Sequence, residues 1–342
     1  MAMLATALSK DDFPSRLRAL ILEEMQPHLA KHSISLATVS SNESTNARLK
    51  TIGVEALNLL SRADSLKEKI GALSSVAALV PSEAAIKPIQ SLFDPSQPQE
   101  LQLAAIATLG TYPDPAVANI LIEAWPKFTP TLRDKAATLL LSRTDRIAKL
   151  LDAIEAKKIL PSQLSAATKA TLGRQKTPAL ADRIAKLIGD GGSSNRKEVI
   201  TKYEPVLSMT GDTTRGAKIY ETLCMVCHRH LDRGNDVGPN LGTIKAWTAE
   251  QILTNVLDPN REVSPNFALY IVETNDGRTL SGLITSETAG NLTLKRADGG
   301  TDTVLRSEIK SLTSPGISLM PEGLEAAITP QQMADLIAYL KQ

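Results

Sequence analysis

Four copies of a short apolar mark constrain the first half of this chain more than any other feature. Ala77-Ala78-Leu79, Ala107-Thr108-Leu109, Ala137-Thr138-Leu139 and Ala170-Thr171-Leu172 stand 30, 30 and 33 residues apart. The string Asp145-Arg-Ile-Ala-Lys-Leu150 returns as Asp182-Arg-Ile-Ala-Lys-Leu187. From about Asp12 to Ile188, Ala- and Leu-rich stretches alternate with breaks such as Val80-Pro81-Ser82 and Thr111-Tyr112-Pro113-Asp114-Pro115. A unit of roughly 30 residues holds two short helices and a turn, and it cannot bury its apolar face alone. Stacked neighbours can. The pattern therefore predicts an α-solenoid over residues 1–190, with an irregular bundle of similar Ala-rich helices as the competing reading.

The unit resembles short HEAT-like repeats. A turn-forming run, Gly189-Asp-Gly-Gly-Ser-Ser194, ends this region. Residues 191–212 read as a linker, with one connecting helix over 195–207 closed by Gly211-Asp212. Residues 213–342 read as a second domain. Within it the hydrophobic period changes from helical to alternating over 267–312. Ala268–Thr274, Thr279–Thr285, Leu292–Lys295 and Thr303–Leu305 read as strands. Asn275-Asp276-Gly277, Ala289-Gly290-Asn291 and Asp298-Gly299-Gly300 read as hairpin turns between them. The predicted class is mainly α: a HEAT-like solenoid, then an α-helical domain with a small antiparallel β insertion.

The formal net charge of the 342 residues is +1, so no strong field favours nucleic acid or an anionic membrane. From Gly211 onward 12 Lys and Arg face 16 Asp and Glu, a net of −4 that leaves +5 on the preceding part. No apolar run approaches the roughly 20 residues that span a bilayer. The start, Met1-Ala-Met-Leu-Ala-Thr-Ala-Leu, lacks the basic opening of a secretory signal and soon meets Lys10-Asp11-Asp12. The expectation is a piece of a longer extracytoplasmic protein, with Met1-Ala2-Met3 a cloning addition.

Both cysteines of the chain lie in one motif, Cys224-Met-Val-Cys227-His228. Two thiols at this spacing can add across the two vinyl groups of haem, with the following histidine placed to ligate iron. A bare CxxC could instead be a redox dithiol or half of a zinc site. The dithiol needs a thioredoxin-like βαβ setting, and the surroundings of Cys224 read as helical. Zinc needs two further ligands, and besides His228 only His28, His32 and His230 remain. The motif thus points to one covalently bound haem c.

The flanks resemble a class I cytochrome c. Thr213-Thr-Arg-Gly-Ala-Lys-Ile-Tyr220-Glu-Thr-Leu-Cys224 is similar to that family's first helix, with Gly216 eight residues before the first cysteine. The resemblance implies that Gly216 lets this helix cross closely over the last one, on a face of Leu336, Tyr339 and Leu340. Thr329-Pro330 reads as that last helix's cap and first residue. Val237-Gly238-Pro239-Asn240-Leu241 resembles the loop whose proline carbonyl accepts the proximal histidine's Nδ1–H, which assigns that role to Pro239.

A thioether as sixth ligand favours electron transfer, whereas an open position allows peroxide or gas chemistry. Met225 lies inside the motif, Met209 precedes the first helix, Met333 lies on the last, and His230 is close to the wrong face. Met320, in Ser318-Leu-Met-Pro-Glu-Gly323, stands where class I cytochromes put their axial methionine, the β insertion accounting for the long interval from His228. Trp247, Arg261 and Tyr270 are candidate donors to the haem propionates, which need partners.

From about Tyr203 to its end the chain resembles the haem-binding domain of planctomycete and verrucomicrobial type. The resemblance rests on Gly216, CxxCH, Asp236-Val-Gly-Pro-Asn-Leu241, Leu257-Asp-Pro-Asn-Arg261, Thr274-Asn-Asp-Gly-Arg-Thr-Leu-Ser-Gly282 and Ser318-Leu-Met-Pro-Glu-Gly-Leu324. In that family the module ends a long extracytoplasmic protein, after HEAT-like repeats and often a propeller resembling sugar or PQQ-dependent dehydrogenases; no propeller stands in this sequence. The implied function is a non-enzymatic electron-transfer module serving a fused or partner dehydrogenase. Haem-based peroxidase-like catalysis or gas sensing, and a mainly structural docking role, are the alternatives. His28 and His32, four apart on a predicted helix, lack a carboxylate or cysteine to complete a metal site and read as a solvated face.

Overall fold

The computed structural model describes residues 2–14, 42–175, 177–188 and 196–342, together with positions 17, 18, 21, 22, 24, 25, 28 and 36. The turn-forming run predicted at 189–194 lies outside these residues. The chain is mostly α-helical with a small antiparallel β insertion. It divides into two compact units, the first running to Leu150 and including Thr288–Gly290, the second made of Leu151–Glu287 and Asn291–Gln342. The division falls inside a helix, ahead of the residue 190 at which the sequence pattern breaks.

In the first unit the helices are α1 (Ala2–Leu8), α2 (Glu43–Arg62), α3 (Leu66–Leu79), α4 (Ser82–Ser91), α5 (Gln99–Gly110), α6 (Ala116–Ala124), α7 (Pro130–Leu140) and the start of α8 (Thr144–Glu155). Proline sets several of their beginnings. Pro81, Pro98 and Pro115 directly precede α4, α5 and α6, and Pro130 opens α7. A first-turn proline forgoes an N–H that would have no intrahelical partner in any case. Helices α3, α5 and α7 pack on one another in succession. The recurring Ala-x-Leu marks close these helices, and Leu79 and Leu109 are buried.

Helix C-termini in this unit are answered by arginines. The last carbonyls of a helix lack partners and carry its negative end, so a buried guanidinium there is both bonded and electrostatically favoured. Arg18 donates to Leu8 O at 2.9 Å, Arg133 to Trp125 O at 3.2 Å and Arg146 to Tyr112 O at 2.6 Å. Tyr112 in turn lies within 3.0 and 3.1 Å of the Val76 and Val80 carbonyls at the end of α3.

The second unit continues with α9 (Ala166–Gly173), α10 (Pro178–Ile188), α11 (Lys197–Tyr203), α12 (Thr213–Ile219), α13 (Ala249–Leu257) and α14 (Pro330–Leu340). Of the segment that reads as a linker, described residues from 196 onward join the core of this unit. Tyr203 and Val206 are buried beside Leu253, Leu257, Met333 and Leu336, and the Tyr203 hydroxyl donates to the Ile328 carbonyl. Helix α14 starts on a capping box: the Thr329 hydroxyl accepts Gln332 N–H while the Gln332 side chain accepts Thr329 N–H.

Strands β1 (Arg229–His230) and β2 (Arg233–Gly234) form a small hairpin. The insertion is a five-stranded antiparallel sheet of β3 (Tyr270–Thr274), β4 (Thr279–Glu287), β5 (Asn291–Lys295), β6 (Thr301–Leu305) and β7 (Ile309–Thr313), in the order β6-β5-β4-β3-β7. The four predicted strands and three turns are present. Strand β7, adding the edge beside β3, was not separately legible, because its buried residues Ile309 and Leu312 are three apart rather than two. Arg306, just past β6, is 2% exposed and pairs with Glu287 at 2.7 Å. A charge so buried needs its partner, so this pair ties β6 to the end of β4.

The closest helix crossing joins α12 and α14. A Cβ on Gly216 would stand 2.0 Å from Asp335 O and 2.8 Å from Tyr339 Cβ, and one on Gly211 would stand 2.2 Å from Ala334 O. The backbones meet where only glycine fits. Asp335, 1% exposed, accepts from Arg215 at 2.7 and 2.8 Å and from the Asp212 amide at 2.8 Å. The Arg215 guanidinium, with help from that amide and Gln331, holds the Asp335 carboxyl down to about 2.

Two outcomes follow. Gly216→Ala should overpack the crossing and cost about 3 kcal/mol, read as a fall in denaturation midpoint, and an unchanged midpoint would contradict the contact. A carboxylate titrating near 2 when folded and about 4 when unfolded contributes fully above the higher value and loses its contribution as pH falls towards the lower. Denaturant unfolding should therefore weaken more steeply between about pH 5 and pH 2 in the parent than in Asp335→Asn; parallel curves would remove the ion pair from the account.

Candidate functional site around Cys224, Cys227 and His228

Helix α12 does not run unbroken to Cys224 as the sequence suggests. After Ile219 it widens into a π turn, Tyr220–Cys224, in which Met225 N–H reaches the Tyr220 carbonyl at 2.9 Å. Such a widened turn re-aims the residues after it. The amides of Cys227 and His228 then fold back onto the Cys224 carbonyl at 3.1 and 2.9 Å, so the motif is a tight turn at the end of α12. The amides of Val237 and Gly238 close on the Cys227 carbonyl at 3.0 and 2.7 Å, bringing 237–239 against it.

His228 is 9% exposed, and its Nδ1 lies 2.8 Å from the Pro239 carbonyl. A carbonyl only accepts, so Nδ1 carries the proton and Nε2 keeps its lone pair. Burial pushes His228 below the ordinary imidazole value, and that bond partly offsets the shift. Gly238 lies flat against the ring: a Cβ there would stand 2.5 Å from His228 Cε1. The ring is therefore clamped, with one nitrogen satisfied and the other available to a Lewis acid.

Tyr220, fully buried, sets its hydroxyl 2.8 Å from both the His228 and Arg233 carbonyls. It bridges the two strands of the β1–β2 hairpin. That hairpin turns on Leu231 and Asp232 at φ 46° and 60°, a left-handed pair without glycine that costs on the order of 1 kcal/mol per residue. His230 packs edge-on between Tyr220 and Tyr339, with centroids 5.8 and 5.0 Å away.

The two thiols are unpaired. Burial pushes Cys224 up to about 12, with Cys227 adding to it, and burial also raises Cys227. A redox dithiol works through a thiol whose value is lowered, so this environment is the wrong one for that chemistry. Among the described residues no three of His, Cys, Asp and Glu come together as a metal site. His28 is exposed, and its sequence partner His32 lies outside the described residues. The β insertion reaches this loop. Cys227 Sγ lies 3.6 Å from the Ala297 carbonyl in the β5–β6 turn, and Lys295 Nζ donates to Asp236 O at 2.7 Å.

Met320 is half-buried in a loop after β7. That loop pairs with residues before β3: Leu269 N–H donates to Ile317 O at 2.8 Å and Leu319 N–H to Phe267 O at 3.3 Å. Arg261 is exposed one residue from Asn260, which bonds to this loop. Trp247 is 38% exposed, its carbonyl accepting from Lys341, and Tyr270 is 1% exposed within the apolar cluster of the sheet. Cys224, Cys227, His228 and Pro239 thus share one locality, and Arg261 adjoins the Asn260 that bonds the Met320 loop. Sequence reasoning missed Tyr220 as the closure of the hairpin, although its aromatic spacing before Cys224 marked it.

The family model described as cytochrome c oxidase, cbb3-type, subunit III matches residues 211–272, from Gly211 through the motif and Pro239 into β3. The chain therefore contains a cytochrome-like region, a setting consistent with electron transfer. No curated protein sequence matches the chain. No helix among the described residues is long and apolar enough to cross a membrane.

In protein lacking any bound group, iodoacetamide at about pH 8 should modify these thiols at least about tenfold more slowly than free cysteine, Cys227 before Cys224. Rapid modification of both would restore the dithiol reading.

Proposed function

We propose that this chain is a c-type monohaem cytochrome module that passes electrons from a fused or partner dehydrogenase to a downstream acceptor. The observation that carries the reading is the His228 ring held through Nδ1 by Pro239, with Nε2 left as a donor directly after two neutral, partly accessible thiols. This donor set suits covalent haem. Cys224 and Cys227 would form the thioethers, His228 Nε2 would be the proximal ligand and Met320 Sδ the distal one. Bound haem would supply a one-electron couple, whose reduced state a thioether ligand favours.

The chain's own contribution is positional. Pro239 makes His228 a better donor by accepting the hydrogen bond from its Nδ1–H, and Gly238 keeps the ring from turning. The apolar cluster behind Cys224 and Met225 keeps water from that side. Trp247, Arg261 and Tyr270 would be the candidate donors to the haem propionates. The successive packing of α3, α5 and α7 supports a HEAT-like solenoid acting as spacer or docking surface. Together with 213–342 it would form a planctomycete-type assembly working outside the cytoplasm.

The test is a visible and near-infrared spectrum, oxidised and reduced, of protein matured with a c-type haem assembly system. Low-spin covalent haem with a weak sulfur-to-iron band that Met320→Ala abolishes is the expected result. A high-spin spectrum, or carbon monoxide binding to the resting reduced protein, would replace electron transfer with peroxidase-like or gas-sensing chemistry. Absence of covalent haem would sink the proposal.

A further inference from the structure

The segment around Met320 is held by a residue far from it in sequence. Asn260 Oδ1 accepts the Ser318 N–H at 2.7 Å, and Asn260 Nδ2 donates to Glu322 Oε1 at 2.5 Å. One side-chain amide therefore grips the loop two residues before and two residues after Met320. Between these points the Met320 N–H donates to the Ser318 hydroxyl at 3.1 Å, so the methionine's own backbone is tied to the gripped residue.

Asn260 is itself anchored. It follows Pro259 in a turn at the end of α13, where the Arg261 amide donates to the Asp258 carbonyl at 3.1 Å. Proline fixes one backbone angle of that turn. On the other side the loop is paired with Phe267 and Leu269, and the Ser162 hydroxyl donates to Gly316 O at 3.3 Å. Downstream of Pro321, Glu322 and Gly323 are exposed, Gly323 takes the left-handed φ of 92°, and the chain is next held at Glu325, by Arg196 at 2.6 Å and by the Tyr203 hydroxyl at 3.1 Å. The Asn260–Glu322 bond is the hold nearer to Met320 on that side.

We propose that Asn260 is a positioning residue that fixes the backbone of the Met320 loop for ligation of iron. The role rests on the reading of Met320 as distal ligand given above. An asparagine suits it, since its neutral amide offers an acceptor to Ser318 and a donor to Glu322 at once. An aspartate could not donate to Glu322 and would add a charge beside it and the buried Asp258.

Two readouts test this, and only one depends on haem. In protein without haem, Asn260→Ala should raise amide hydrogen exchange at Ser318 and Met320 by about tenfold, the loss expected for one hydrogen bond. In matured protein the same substitution should weaken the sulfur-to-iron band and raise the affinity for added imidazole by about tenfold, with covalent haem content unchanged. Glu322→Ala, which removes an exposed partner, should give a smaller change in the same direction and covers the case in which Asn260→Ala folds poorly. Exchange rates and imidazole affinity equal to the parent in both variants would overturn the proposal. A parent spectrum that ignores Met320→Ala would overturn the ligation reading instead, and the role of Asn260 in ligation with it.

Discussion

The contact on which the second unit depends is the crossing of α12 and α14 at Gly216, where one helix backbone rests on the carbonyl of Asp335 in the other. Helices normally pack with side chains between them, about 8–10 Å apart. Two glycines remove that spacing here, and the buried Asp335 carboxylate turns the gap into a bonded junction with Arg215 and the Asp212 amide. The ring of Tyr339 then meets Tyr220 and His230, and the Tyr220 hydroxyl reaches the carbonyls on either side of the hairpin turn. The position of the cysteine motif is thus inherited from a crossing between two helices far apart in the chain. It does not come from the motif itself.

The β insertion looks in the sequence like an interruption between a proximal and a distal loop. In the folded unit it touches both. Its β5–β6 turn lies on the Cys227 side through Ala297 and Lys295, while the residues leading into β3 pair with the Met320 loop. A sheet is stiff because neighbouring strands share their backbone hydrogen bonds, and the buried Arg306–Glu287 pair adds to that stiffness at one edge. Two loops about ninety residues apart in the chain are therefore supported by one rigid body.

Guanidinium groups recur as caps. Arg18, Arg133 and Arg146 in the first unit, and Arg196 on the Leu257 carbonyl in the second, each answer the carbonyl end of another helix. In a chain of many short helices the unpaired termini are numerous relative to length. A long donor with a fixed positive charge satisfies them from a neighbouring element without further backbone.

Much was legible in the residues themselves. Prolines and capping residues announced helix starts, Asn-Asp-Gly and Asp-Gly-Gly announced turns, and the spacing of Cys224, Cys227 and His228 marked the candidate site, because each of these signals is local. Gly216 was legible too, through resemblance. What the sequence left open depends on residues distant along the chain. The π turn at Tyr220, the strand β7 with its three-residue burial spacing, the packing of 196–212 into the core and the grip of Asn260 on Ser318 and Glu322 have no local signature. The sequence by itself determined the helical class, the β insertion and the residues of the candidate site. Tertiary structure alone decided how those donors are held, since a hydrogen bond between residues 58 or 62 positions apart exists only once the chain has closed.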